Sequence, residues 1–288
     1  MSRHLIIGGL GQDGRLLSQY LTAQNHDVAA IIRGNSTSSA WPGVKYFLVR
    51  EPSVDSYYDV ISSYQPGIVY NLASLSSVAA SETTPDISRE MNFELVMTIF
   101  EAVTQYLDKK KHLRVKLIQA GSSEMFGVSE YPIHENSIMK PKSKYGEHKK
   151  LAFEFLEARK ESHINFQISN LILFNHESIF RPENFVSQKI AKAAAIWHLK
   201  GDQSVKFGNI DMSRDWGCAR EYVRAIAWVG TQEDNENYVI ASGSLIKVHQ
   251  ILEHALNYVG FRGNDFSDYL DTTPVSYTHL TLPTKRIV

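Results

Sequence analysis

The chain has 288 residues, enough for one large α/β domain or two modest ones. Hydrophobic residues make up 43% and charged residues 21%, which excludes a disordered chain, and 17 Gly and 9 Pro without a period exclude collagen-like and linker-like sequence. The 30 Lys and Arg against 31 Asp and Glu leave a net charge of -1, too little positive charge for broad nucleic-acid binding, and the lone Cys218 cannot form an internal disulfide or a cysteine-based zinc site. Only three apolar residues separate His4 from Gly8, too few for a signal-peptide core, and no apolar run reaches the length of a bilayer crossing. A soluble, cytoplasmic protein with no membrane or nucleic-acid partner is expected.

Along the first half, short apolar runs alternate with amphipathic stretches. Leu5-Ile6-Ile7 reads as a buried strand cut off by Gly8. Further strands are predicted at 28–32, 46–49, 68–70, 115–118 and 168–174. Between them Leu16, Leu17, Tyr20 and Leu21, then Ile99, Phe100, Val103 and Leu107, recur at three- and four-residue steps, the spacing of a helix with one buried face. That alternation predicts an α/β fold, a doubly wound parallel sheet of Rossmann type with helices on both faces.

After about residue 176 the rhythm changes. A helix predicted over 185–199 is followed by Val205-Lys206-Phe207, a Gly208-Asn209 turn and Arg214-Asp215-Trp216. Then come a helix at 221–229, a strand at 238–240 and a helix over 245–258. The expected division is a Rossmann-type domain over 1–176 and a smaller region over 177–274 packed beside its sheet. The stretch from Val275 through Thr284 carries no continuing periodicity and resembles the translation of a sequencing-library adapter. Residues 275–288 are therefore expected to be an adapter-derived tail outside the fold.

Gly8, Gly11 and Gly14 form G-x-x-G-x-x-G between the first strand and the first helix. One glycine allows the tight turn, one lets the backbone approach a pyrophosphate, and one lets helix and strand pack closely. The helix N-terminus then presents free N–H groups to phosphate. The alternative is a Gly-rich turn with no ligand. At the end of the second strand an acid would bind the ribose 2′-hydroxyl of NAD. Here Ile32 is followed by Arg33-Gly34-Asn35-Ser36, whose cation and small polar groups suit the extra phosphate of NADP. The blander reading of Arg33 is a solvated loop charge.

Tyr145 and Lys149 lie four residues apart on a predicted helix and so share a face. A lysine ammonium beside a tyrosine favours phenolate, which can act as a general base. The alternative is an exposed pair on a Lys-rich surface. The fifth strand ends in Gln119-Ala120-Gly121-Ser122-Ser123-Glu124, at the edge where doubly wound sheets place chemistry. A serine there can hydrogen-bond a sugar hydroxyl and a carboxylate can move a second proton. Glu124 also has a plainer reading, as a loop carboxylate capping a turn.

Taken together, these segments resemble the extended short-chain dehydrogenase/reductase family, and within it the GDP-mannose 4,6-dehydratases. The matching residues are Gly8-Gly9-Leu10-Gly11-Gln12-Asp13-Gly14, Tyr70-Asn71-Leu72-Ala73, Ser122-Ser123-Glu124, and Tyr145 with Lys149. Narrower matches are Leu173-Phe174-Asn175-His176-Glu177-Ser178, Phe185-Val186 with Lys189-Ile190, Gly208-Asn209 and Arg214-Asp215-Trp216-Gly217. The resemblance implies a lyase that oxidises a nucleotide sugar at carbon 4, eliminates water across carbons 5 and 6, and returns the hydride to carbon 6 through NADP. It implies Ser122, Glu124, Tyr145 and Lys149 as catalytic, with Ser122 standing where the family has Thr. It implies Gly8, Gly11, Gln12, Asp13, Gly14, Arg33, Ser36, Leu72, Ala73, Tyr145, Lys149, His176 and Arg181 as cofactor-binding. Ser76, Asn175, Lys189 and Arg214 are implied at the substrate, GDP-mannose or a related nucleotide sugar. Pairing through the helix of Tyr145 and the helix before the fifth strand is implied as well, giving a homo-oligomer.

Several residues depart from the family pattern: Leu75 for Gln, Ser77 for His, Gly34 for a second Arg, and Ile87 for an aromatic cofactor neighbour. No metal site is expected, because the 11 histidines show no pair at ligand spacing with a third ligand. His148 is expected to face solvent, Trp197 and Trp228 to lie in the core, and Lys109-Lys110-Lys111 to end a helix in solvent. Other readings remain: an epimerase, dehydratase or reductase of the same fold, or a non-catalytic cofactor-binding scaffold.

Overall fold

The computed structural model describes residues 3–34, 40–129, 132–201 and 205–261. Ser36 and the expected adapter-derived tail lie outside these described residues. The apolar runs become β1 (Arg3–Ile7), β2 (Asp27–Ile32), β3 (Val44–Leu48), β4 (Ile68–Asn71), β5 (Val115–Ala120) and β6 (Phe166–Leu173). With β9 (Tyr238–Ile240) they form a parallel seven-stranded sheet in the order β3-β2-β1-β4-β5-β6-β9. β4 and β5 are buried at every position. Both faces of such a sheet must be covered, and so its strands read as continuous apolar runs.

Two helical layers cover the faces. On one, Leu16, Leu17 and Leu21 of α1 (Gln12–Ala23) meet Tyr222, Val223 and Ile226 of α8 (Ala219–Thr231). On the other lie α2 (Val54–Tyr64), α5 (Leu95–Lys109) and α6 (Lys144–Glu157), through Ile61, Val103 and Leu156 among others. Each fully buried aliphatic side chain contributes about 1.5–3 kcal/mol. Lys116 is, with Gln119, one of two buried polar residues in β5. Its ammonium is buried and donates to the carbonyls of Gln232 and Asp234 at 2.7 and 3.0 Å, tying down the chain just beyond α8.

The strand order reverses between β1 and β4. The loops that follow these strands diverge there and open the crevice in which doubly wound sheets bind ligands.

A smaller unit stands beside that crevice. β7 (Asn175–Glu177), β8 (Ser213–Cys218) and β10 (Leu245–Lys247) form a second sheet in the order β10-β8-β7. α7 (Val186–Lys200) and α9 (Val248–Tyr258) enclose Ile190, Ala193, Phe207, Leu252 and Leu256. Between β8 and β10 the chain returns to the large sheet as α8 and β9. No helix among the described residues is long and apolar enough to cross a membrane.

Two expectations are corrected here. The stretch 245–258 is not one helix: Leu245, Ile246 and Lys247 pair antiparallel with Asp215, Arg214 and Ser213. The buried Asp215 carboxylate accepts the N–H groups of Ser242 and Gly243 at 2.8 and 2.7 Å, which fixes the turn entering β10. Trp228 is 54% exposed, outside the buried stripe of α8, and meets Tyr238 edge-on. Trp197 does pack against the cluster of the small unit, edge-on to Phe261.

Candidate active site

The glycine loop has the shape its spacing predicts. Gly8 has φ +86°, and a side chain there would press on the backbone of Ala73, with Cβ 2.8 Å from Ala73 N. A Cβ on Gly14 would collide with the Gly8 carbonyl. Gly11 caps α1 without any side-chain hydrogen bond, so the first N–H groups of this helix point out of the loop unclaimed by a side-chain cap. Close backbone approach and open N–H groups fit a dinucleotide pyrophosphate.

Gln12 and Asp13 join this loop to β7. Gln12 Nε2 donates to the carbonyl of His176 at 3.0 Å, and Gln12 Oε1 accepts the hydroxyl of Ser178 at 3.0 Å. His176 has Nδ1 2.6 Å from the Phe174 carbonyl and Nε2 3.0 Å from Asp13 Oδ2. The carbonyl can only accept, and so can an ionised carboxylate; a ring donating to both is an imidazolium. Burial pushes the His176 pKa down, but the charge and hydrogen bond of Asp13 outweigh it and the net shift is upward. Burial likewise pushes Asp13 up, and His176 turns its net shift downward. The ring also stacks on Tyr222 at 4.4 Å.

Between the two units lies a cavity of about 620 Å³. Gly11, Gln12, Asp13, Gly14, Leu72, Ser76, Ser122, Glu124, Tyr145, Lys149, Asn175, His176, Arg181, Lys189 and Arg214 all line it. Thus residues 137 positions apart in sequence, such as Gln12 and Lys149, meet on one surface because both belong to the C-terminal edge of one sheet.

The catalytic candidates are placed by two local devices. The Ser143 hydroxyl accepts the N–H of Gly146 at 3.1 Å and starts α6. A side chain at Gly146 would collide with the Glu124 carbonyl, so this glycine lets α6 abut the 3₁₀ turn Ser123–Met125. Tyr145 is thereby set beside Glu124. The Ser122 hydroxyl accepts the N–H of Glu124 at 3.2 Å and holds that turn. One helical turn beyond Tyr145, the Lys149 ammonium donates to the Ala120 carbonyl at 2.8 Å and lies 5.8 Å from the Tyr145 ring centre.

Burial governs the protonation of this cluster. It brings Lys149 down to about 8. It raises Tyr145 above its ordinary value, while the Ser122 hydroxyl pulls the phenol down, Glu124 pushes it up and Arg181 pulls it down. The expected depression of the phenol by Lys149 is therefore not the leading influence; loss of water is. Burial also raises Glu124, against the opposing charge of Arg214. A carboxyl poised above its ordinary range can take and return a proton.

Not every candidate reaches the cavity wall. Gly8 and Ala73 lie behind the loop, braced against one another. The Arg33 guanidinium is half exposed, outside the cavity, and pairs with Glu90 at 3.6 Å. Arg181 is held in place by Glu177, 3.2 Å from its Nε, and by the ring of Phe185, 3.9 Å below its guanidinium carbon. Ser77, which departs from the family pattern, caps α3 (Val78–Thr83) by accepting the N–H of Ala80. His148 corrects an expectation: it is 7% exposed, not solvated, and its Nδ1 lies 2.9 Å from Ser88 Oγ. Gly146 was missed by sequence reasoning. For Gly146 the signal was present, a glycine directly after the tyrosine of a Y-x-x-x-K pair.

The profile of the family described as GDP-mannose 4,6 dehydratase matches residues 5–273. The chain is 33% identical over 280 residues to GDP-mannose 4,6 dehydratase 2 of Arabidopsis thaliana, covering 91% of this chain and 74% of that protein. It is 33% identical over 271 residues to GDP-mannose 4,6-dehydratase of Sinorhizobium fredii, covering 89% and 76%. Among solved structures it superposes on UDP-glucose 4-epimerase of Thermotoga maritima, bound to UDP-glucose, with TM-score 0.78 and 20% identity, covering 98% and 86%. UDP-glucose 4-epimerase of Thermus thermophilus in complex with NAD gives TM-score 0.77 and 20% identity, covering 90% and 83%.

Proposed function

The chain belongs to the GDP-mannose 4,6-dehydratase family, and on that membership we propose that it converts GDP-mannose to GDP-4-dehydro-6-deoxy-mannose with loss of water. The observation that carries the reading is the meeting of Glu124 and Tyr145 on one cavity wall, close enough for the charge of one to bear on the other. Epimerisation needs the phenol but no second proton carrier in this role. Elimination needs both.

In this reading Tyr145 takes the proton of the carbon-4 hydroxyl as the alcohol becomes a ketone. Ser122 hydrogen-bonds the same oxygen and holds it in line. The new ketone acidifies the proton on carbon 5. Glu124 removes that proton and passes it to the departing carbon-6 oxygen, which leaves as water. Positioned proton transfer of this kind contributes about 10²–10⁴ in rate. A nicotinamide dinucleotide, which Gly11, Gln12, Asp13 and Gly14 would hold with Lys149 at its ribose, would take up the carbon-4 hydride and give it back at carbon 6; the proton that Tyr145 took from the carbon-4 hydroxyl balances the one that must return to carbon 5. NADP is favoured over NAD, since no acid follows β2 and Arg33 stands there instead. Asn175, Lys189 and Arg214, on the small unit's side of the cavity, bind the nucleotide diphosphate. The same reading places the protein in the cytoplasm as a homo-oligomer paired through α5 and α6.

Incubation with GDP-mannose, with the product followed by mass, tests this. The expected product has lost one water with no net change in cofactor. A product of unchanged mass indicates an epimerase, and unaltered GDP-mannose beside normal cofactor binding indicates a scaffold; either overturns the reading.

A further inference from the structure

Among the described residues three carboxylates line the cavity, those of Asp13, Glu124 and Glu177. Asp13 is paired with His176, and Glu124 carries the reacting proton. Glu177 takes no step in that chemistry, yet it is the most heavily engaged of the three.

One oxygen of Glu177 serves two partners. Its Oε2 accepts the hydroxyl of Ser187 at 2.5 Å and lies 3.2 Å from Arg181 Nε. So short an O–H···O contact is the length of a bond to an ionised carboxylate. Arg181 lays its guanidinium over the ring of Phe185. Neither contact claims the Nη hydrogens of Arg181, so a cofactor oxygen can take them without displacing Glu177.

The other arm reaches α7. Ser187 and Gln188 belong to its first turn. Gln188 Nε2 donates to the Ser178 carbonyl at 3.1 Å, and the same carbonyl accepts the Arg181 N–H at 3.1 Å. The N-cap residue Phe185 gives that turn no side-chain hydrogen bond, and the Glu177 carboxylate supplies negative charge beside it instead. Lys189 comes next. Its N–H makes the helical bond to the Phe185 carbonyl at 3.0 Å, and the residue lines the cavity.

Direct contacts therefore run from Arg181, on the wall shared with the glycine loop, through one carboxylate oxygen to the turn that sets Lys189. Whichever ligand binds first must order Arg181, Glu177 and the start of α7. The second meets them already ordered, which lowers its entropic cost. The carboxylate keeps both contacts when the Nη edge is taken, so the coupling is favourable, and it is equal in both directions.

We propose that Glu177 is a positioning residue shared by the two ligands. It turns Arg181 toward the cofactor, holds the first turn of α7 so that Lys189 meets the nucleotide diphosphate, and makes each ligand tighten the other. The proposal rests on the dehydratase reading only in placing the cofactor at Arg181 and the diphosphate at Lys189.

Calorimetric titration with GDP, with and without saturating NADP, tests it in the absence of turnover. In the parent, NADP is expected to tighten GDP binding about fivefold or more. Glu177→Gln keeps an acceptor for Ser187 but no charge for Arg181; it should weaken NADP binding and cut the coupling below about twofold. Ser187→Ala breaks the second arm alone. NADP by itself should then bind as it does to the parent, GDP by itself more weakly, with the coupling again below about twofold. Coupling of the parent's size in either variant, at a thermal midpoint like the parent's, overturns the proposal. So does a parent that binds no GDP, or binds it equally with and without NADP. Should Glu177→Gln fail to fold, Ser187→Ala decides. A parent that shows the coupling but leaves GDP-mannose unaltered ends the dehydratase reading and leaves this one standing.

Discussion

The two sides of the cavity are built differently. On the sheet side, Tyr145 and Lys149 sit on α6 and Ser122 and Glu124 at the turn after β5, and each is fixed by a hydrogen bond or a glycine contact. On the other side, Asn175, Lys189 and Arg214 belong to a three-stranded sheet whose β10 is exposed at every position, and to helices with a small core of their own. Bond-making groups need placement to a fraction of an ångström. A diphosphate can be held by long cationic side chains on a less rigid support. The Asp13–His176 pair, with Gln12, joins the two sides at the glycine loop.

The largest effect expected from this contrast is catalytic and confined to the sheet side. Tyr145→Phe should lower kcat by about 10²–10⁴, with KM and thermal midpoint nearly unchanged. A comparable fall from Lys189→Ala at saturating substrate would erase the distinction, because that residue should act through KM.

Next in size is Leu252→Ala, in the core of the small unit. It should cost about 2–5 kcal/mol of stability in denaturant unfolding. If the two units are coupled only through the glycine loop, that loss should weaken substrate binding more than cofactor binding. Equal losses of both in titrations would argue for one cooperative structure.

The junction itself should show in the pH dependence of stability. His176 has its pKa raised on folding, so its contribution is complete below its unfolded value near 6.5 and is lost as pH rises through the folded value. Asp13 has its pKa lowered, so its contribution is complete above its unfolded value near 3.8 and is lost as pH falls through the folded one. Stabilisation by the pair is therefore greatest between those limits, in mildly acid solution. Thermal midpoints of His176→Gln should differ most from the parent's there and least in alkaline solution.

Lys149 has the opposite sign. Its pKa falls to about 8 on folding, so the folded state is penalised below that pH and relieved as pH rises toward the unfolded value of 10.5. Lys149→Met should remove activity yet raise the thermal midpoint by a few degrees, roughly, at neutral pH. The gain should shrink toward pH 10. The smallest effect belongs to the exposed Trp228: Trp228→Ser should change stability by less than about 0.5 kcal/mol.

The sequence was most readable where burial wrote a pattern. β1, β2, β4, β5 and β6 are covered on both faces, and each shows as an apolar run. The glycine loop was equally plain, because Gly8 and Gly14 sit where any side chain would strike backbone. β10 left no such mark. Its residues are exposed, its hold on β8 is made by backbone bonds, and Leu245 and Ile246 continue the helical spacing of α9. His148 was misread for a related reason. Helical spacing shows which residues share a face, not what covers that face, and the covering elements here are α4 (Pro85–Arg89) and the π-helical turn Glu90–Glu94, 54 to 63 residues upstream. Trp228 erred the other way: an aromatic among aliphatics suggested core, but the buried stripe of α8 passes beside it.

The pairing of Glu124 with Tyr145 is tested most directly by Glu124→Gln, mixed with GDP-mannose and cofactor in a single turnover. Reduced cofactor should build up and persist as carbon 4 is oxidised, while the sugar keeps its oxygen at carbon 6. Release of the dehydrated product at the parent's rate would contradict the assignment of the carboxylate, and with it the elimination chemistry proposed for this cavity.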